Sequence, residues 1–193
     1  MARISGNEAL RDAQGRELYS LYDINRLAPR DKEAIYRTLF DEYWQALSDP
    51  EFPVNKALAA GIFPDNLEAL GKAAERSVRR YRKYVALIYV DVVEFDGTHI
   101  RRFYSDMAAR FERFLQTHGK EEIEGRLRPE VSAASAMMLA TRVFLNYFSV
   151  EVLFGVKDHF GKASDETIAE IAGILRRGML RDATSPPGAS PEA

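Results

Sequence analysis

The stretch "RLRPEVSAASAMMLATRVFLNYFSVEVLFG", residues 126 to 155, is a turn followed by a run that is apolar almost throughout, interrupted only by Arg142, Asn146 and Glu151. A spanning helix needs about 20 consecutive apolar residues, and an arginine at mid-depth costs at least about 2.5 kcal/mol on the most lenient insertion scale. A bilayer span is therefore disfavoured, and no transmembrane segment is expected. What remains is a helix from Val131 to Phe154 that is apolar nearly all round, which in water means burial on more than one side. Such a helix either runs through the centre of a bundle or is shared with a second subunit.

Chain length and charge narrow the rest. A chain of 193 residues favours one compact unit with appendages. Lys+Arg 27 against Asp+Glu 29 leaves a formal charge of -2, so the surface as a whole is no polyanion-binding field. Zero cysteines exclude disulfides, thiolate metal sites and cysteine nucleophiles. The opening "MARISGNEALRDAQG" has no apolar signal region, and the expected location is the cytoplasm.

Periodicity finds helices. In "DKEAIYRTLFDEYWQAL", residues 31 to 47, Ile35, Leu39, Tyr43 and Leu47 recur at helical spacing, with Asp31 as the expected cap. Leu67, Leu70, Ala74, Val78, Tyr81, Val85, Ile88 and Val92 form a stripe that predicts one long helix from Asp65 to Val93. "YVALIYVDVV" alone reads as a buried strand, but it continues this stripe and is expected to be helical. Asp96-Gly97 marks a turn, after which Ile100, Phe103, Met107, Phe111 and Phe114 predict a helix ending at Gly119. Ser164, Asp165 and Glu166 open a last helix with Ile168, Ile171, Leu175 and Met179 on one face and Arg176 and Arg177 at its end. The Pro- and Ser-rich tail, residues 182 to 193, is expected to be disordered.

Catalytic signatures are missing: no nucleophile elbow, phosphate-binding loop, dinucleotide fingerprint or zinc-protease motif is present. His99, His118 and His159 show no pairing at helical ligand spacing, so neither a metal nor a cofactor is expected. Asp91, Glu94 and His99 are the one concentration of acid/base groups, and their plainer reading is a helix end carrying polar residues into a turn. No enzyme is expected, and no catalytic residue is assigned. Arg76, Arg79, Arg80 and Lys83 make one basic edge, a solvated face in the plain reading and a phosphate contact in the sharper one.

Bulky and soft side chains gather on the helices. Tyr43, Trp44, Tyr84, Tyr89, Phe103, Met107, Phe111 and Met137 are the expected walls of a pocket for an apolar ligand, although such stripes are also what a plain core looks like. Ser135, Arg142, Asn146 and Ser149 draw a polar line along the apolar helix. A buried guanidinium there requires a carboxylate, Asp91 or Glu94, or an anionic ligand. Arg142 and Asn146 accordingly join the expected ligand-binding set.

The order "KEAIYRTLFDEYWQAL", "RRYRKYVALIYVDVVEFDGTHIRRFYSDMAARFERFL", "EGRLRPEVSAASAMMLATRVFLNYFSVEVLFG", "SDETIAEIAGILRRGML", from Asp31 to Leu180, resembles the ligand-binding and dimerisation part of TetR-family transcriptional regulators. Its best marks are Gly125, Leu127, Arg128 and Pro129 before the long helix and the amphipathic Ser164 to Gly178. The resemblance implies an all-α, TetR C-terminal-domain-like bundle that homodimerises through its last two long helices and encloses an effector. It implies Met138, Phe144, Tyr147, Phe148, Ile168, Ile171 and Leu175 as the dimer interface.

The N-terminus departs from that family's pattern. "GRELYSLYDINRLAPRDKEAIY" keeps Gly15, Leu18, Tyr19 and Tyr22 but inserts residues before Lys32 and Glu33, and fourteen residues before Gly15 do not supply the usual helix-turn-helix. The expected organisation is thus an atypical segment 1–30, a TetR-like domain 31–181 and the tail 182–193. The expected function is a homodimeric regulatory protein with a small apolar or amphipathic ligand, acting on a protein partner where DNA reading is lost. A DNA-binding regulator with a compressed N-terminal unit and a TetR-like lipid carrier are the rivals.

Overall fold

The computed structural model describes residues 10–11, 17–19 and 29–181. Most of the expected N-terminal segment, with Gly15 and Tyr22, and the tail 182–193 lie outside the described residues, as does the side chain of Asp31. The architecture is all-helical, as expected, apart from a short antiparallel ladder of β1 (Leu10–Arg11) on β2 (Glu17–Tyr19). The described residues divide into two compact units, one holding residues 29–48 and 83–100 and one holding residues 49–82 and 101–181. The expected 31–181 domain is therefore parted between them.

In the first unit, α1 (Pro29–Ser48) buries Tyr36, Leu39, Phe40, Tyr43 and Leu47, one face at helical spacing. It packs on α4 (Arg82–Glu94): the Tyr36 hydroxyl donates to the Leu87 carbonyl at 3.0 Å, and the Tyr43 and Tyr84 rings stack 5.5 Å apart. The Tyr84 hydroxyl donates to Glu42 at 3.1 Å. Beyond α4 the chain reverses through Asp96 and Gly97, both at positive φ, into α5 (Thr98–Ser105).

The second unit is organised around α8 (Ala133–Leu153), which packs on α3 (Leu67–Arg80), α6 (Met107–Thr117), α7 (Lys120–Arg126) and α9 (Ser164–Met179), while α2 (Pro53–Ala59) packs on α3. Ser132 caps α8 by accepting from the Ser135 amide at 3.2 Å. Phe144 and Phe148 of α8, Leu67 and Leu70 of α3, and Ile168 of α9 form the centre of this core. A Cβ built on Gly71 would lie 2.8 Å from Ile168 Cγ2 and 3.0 Å from Phe144 Cε1, so glycine is what lets three helices meet there.

Polar contacts close the periphery. Arg176 forks onto the Glu68 carboxylate, one arm at 2.7 Å, and donates to the Asp65 carbonyl at 3.0 Å. The turn after α7 pairs with the end of α9: the Arg128 amide donates to the Met179 carbonyl at 2.9 Å and Arg181 Nε to the Leu127 carbonyl at 2.7 Å, over a fully buried Leu127.

Two expected helices are interrupted and one further helix forms. The long helix 65–93 breaks at Tyr81, whose ring lies 5.2 Å from Phe52 and under the Arg80 guanidinium, so tertiary packing outweighs local helix preference. The helix expected up to Gly119 is interrupted at Asp106, the cap position of α6. The seven-residue α2, started by Pro53, was not expected.

Because Gly71 sits in a contact with no room for a methyl group, Gly71→Ala is expected to lower unfolding stability by about 1–3 kcal/mol through overpacking, against alanine's intrinsic helical advantage of about 1 kcal/mol. Gly125→Ala, where an added Cβ meets nothing within 4 Å, serves as the control in the same urea titrations and should be neutral or stabilising.

Candidate functional site

The second unit carries a cleft of 320 Å³ between the 58–63 segment, the C-terminal end of α6, α7 and α8. Its walls are Leu58, Ala59, Ala60, Ile62, Phe63, Phe114, Ile123 and Met137, with Gly61, His118 and Glu122 completing the lining. Phe63 and Met137 are almost fully buried and form a fixed apolar base. His118 lies flat on Phe114, ring centroids 3.8 Å apart. Its Nδ1 is 2.8 Å from the Phe114 carbonyl and 2.8 Å from Thr117 Oγ1, which assigns the proton to Nδ1 and leaves Nε2 as an acceptor in the neutral ring. A cleft of this size falls at the small end of ligand sites, which span roughly 300–1,000 Å³.

Among the ten expected ligand-binding residues, Met137 lines this cleft. Tyr43, Trp44, Tyr84 and Tyr89 belong to the first unit, where Tyr43 is core and Tyr89 is exposed. Phe103, Met107 and Phe111 are half-buried in the second unit, outside the lining. Sequence reasoning missed Phe63, Phe114 and His118; Phe114 was on the expected stripe, but the 58–63 segment carries no period that would bring it to mind.

Two expectations about α8 are corrected. Arg142 and Asn146 are exposed, on the same outward face as Ser135 and Leu139, and the Arg142 guanidinium lies 5.0 Å over the Tyr104 ring. The buried polar line does not form there, because α3, α6 and α9 take up the other faces of the helix. Conversely Phe144, Tyr147, Phe148, Ile168 and Ile171, expected at a dimer interface, are buried inside this chain, while Met138 and Leu175 are half-buried. The Tyr147 hydroxyl donates to Glu151 Oε1 at 2.7 Å, and the same carboxylate accepts from the Asp158 amide at 3.0 Å and the Ser164 hydroxyl at 3.2 Å. Burial, with Glu151 beside it, pushes the Tyr147 phenol up. Glu151 thus anchors the loop between α8 and α9, and Ser164 serves that anchor.

Asp91 and His99 do meet. Asp91 is wholly buried; its Oδ2 accepts from the His99 and Ile100 amides at 3.2 and 2.8 Å, and its Oδ1 lies 2.7 Å from His99 Nδ1. It therefore satisfies the free amides that open α5 from a position eight residues upstream. His99 Nε2 is 3.6 Å from Glu33, and Tyr36 packs on the His99 ring at 5.0 Å. Burial and the Asp91 charge push the Tyr36 phenol up. Glu94 is exposed, and Glu33 occupies the place expected of it. With its acceptors spent on amides and imidazole, this cluster does the work of a cap.

Other expected chemistry is spread out. Arg79 is bridged to Glu75 at 2.9 Å and Arg80 lies over Tyr81, so the basic edge is partly neutralised. No group of three or more His, Cys, Asp or Glu residues able to hold a metal ion occurs among the described residues. Among the described residues one helix, Ala133–Leu153, is long and apolar enough to cross a membrane, and half of its most apolar window is buried within the chain. In comparisons with known proteins, no family model, curated protein or solved structure matches the chain.

Asp91→Ala strands two amides and an imidazole, and is expected to cost about 3 kcal/mol or more in chemical denaturation; Asp91→Asn, which keeps one acceptor oxygen, should cost less. Arg142→Ala removes only an exposed cation–π contact, and the same titration should register a loss of about 1 kcal/mol at most.

Proposed function

We propose that this chain is a TetR-like regulatory protein that works as a homodimer through α8 and α9 and binds a small, mostly apolar molecule in its cleft. The observation that carries the reading is the outward stripe of α8. Leu139 is exposed and Val143, Val150 and Leu153 are half-buried at helical spacing, interspersed with the exposed Ser135, Arg142 and Asn146, on a helix whose other faces are core. Leu139 is 52% exposed, and Ile174 on α9 is 57% exposed. Apolar stripes of this length on a core helix are what a two-fold helix pairing covers, each copy supplying the same surface to the other.

The corrected burial moves the interface within the same two helices. Phe144 and Phe148 hold the protomer together, and Leu139, Val143 and Ile174 take the partner. The apolar cleft supports the ligand half of the proposal, since its base is fixed by core residues and its rim carries two polar groups. A ligand that prefers one arrangement of the bundle would shift what the dimer presents to a protein partner.

Leu139→Glu places a charge in the middle of the stripe without touching the core. It is expected to convert the dimer to monomer in analytical ultracentrifugation while the far-ultraviolet circular dichroism stays that of a folded helical protein. A wild-type monomer, or a dimer indifferent to Leu139→Glu, would overturn this reading.

A further inference from the structure

The polar chemistry of the cleft is one-sided. Its lining carries the Glu122 carboxylate and the His118 imidazole, whose Nδ1 is taken up by the Phe114 carbonyl. No lysine or arginine lines it. The nearby cations are engaged elsewhere: Lys120 is 3.0 Å from Glu112 and 3.8 Å from Glu124, and Arg126 is 2.7 Å from Asp65. Among the described residues Glu122 makes no ion pair within 4 Å, although the Arg126 charge one turn along α7 acts on it. Against this rim stand Phe63, Phe114, Ile123 and Met137.

An apolar body with donors and positive charge at one end matches both halves, whereas a carboxylate would meet Glu122 with like charge. We infer that the cleft selects amphipathic organic cations, an amine or amidine head at Glu122 and His118 with a hydrocarbon or aromatic body on Phe114 and Met137. This inference rests on the proposed ligand cleft and adds the sign of the charge.

Isothermal titration calorimetry with octylamine, 1-octanol and octanoate at neutral pH separates the two. Octylamine is expected to bind at least tenfold more tightly than octanol, with octanoate weakest. Glu122→Gln should erase the difference between amine and alcohol while leaving octanol binding unchanged. Ala60→Trp, an exposed lining position at which a large ring fills the cleft, should abolish binding of all three. Equal binding of amine and alcohol, both lost in Ala60→Trp, would overturn the charge selection and leave the apolar cleft standing. Binding of none of the three, or binding unaffected by Ala60→Trp, would overturn the inference together with the cleft.

Discussion

A helix that is apolar nearly all round must be covered nearly all round, and the arrangement of the second unit follows from covering α8. Four helices of the same chain take three of its sides, and the fit is tightest where α3 and α9 approach at Gly71, with Ile168 and Phe144 within 2.8 and 3.0 Å of the place where a Cβ would stand. Side chains larger than hydrogen at that point would hold α3 off α8 and leave a void along the seam, which close-packed interiors do not tolerate. The side of α8 that bears Leu139 and Arg142 is the one its own chain leaves open.

The fixed polar contacts serve the same end. Glu151, at the end of α8, holds the loop that brings α9 back onto the core, through Tyr147, Ser164 and the Asp158 amide. Arg176 and the Arg128–Arg181 turn then fasten the far end of α9 to the start of α3 and to the turn before α8. Glu151, the buried charge in this set, is fully supplied with hydrogen-bond donors, as burial of charge requires. In the first unit Asp91 does the corresponding work for α5.

Much of this was legible in the residues because the signals are local. The Asp96-Gly97 reversal, the stop at Gly119 and the apolar body of residues 133 to 153 follow from turn chemistry and composition. The break at Tyr81 was hidden because it depends on Phe52, which comes from a different element. The rotational setting of α8 was hidden for a deeper reason. Where apolar residues lie on every face, periodicity gives no phase, so core residues such as Phe144 and outward ones such as Arg142 cannot be sorted by spacing. The cleft escaped notice because half its lining comes from an aperiodic segment, and Glu33 was missed as the neighbour of His99 because it lies on α1.

The shared helix is the central claim, and native mass spectrometry of the freshly purified wild-type protein tests it most directly. The expected spectrum is dominated by a species of twice the 21.9 kDa chain mass, dissociating at raised collision energy into folded single chains and any small molecule carried in the cleft. A spectrum of the single chain at all concentrations would contradict it, since the outward face of α8 would then stand uncovered in water.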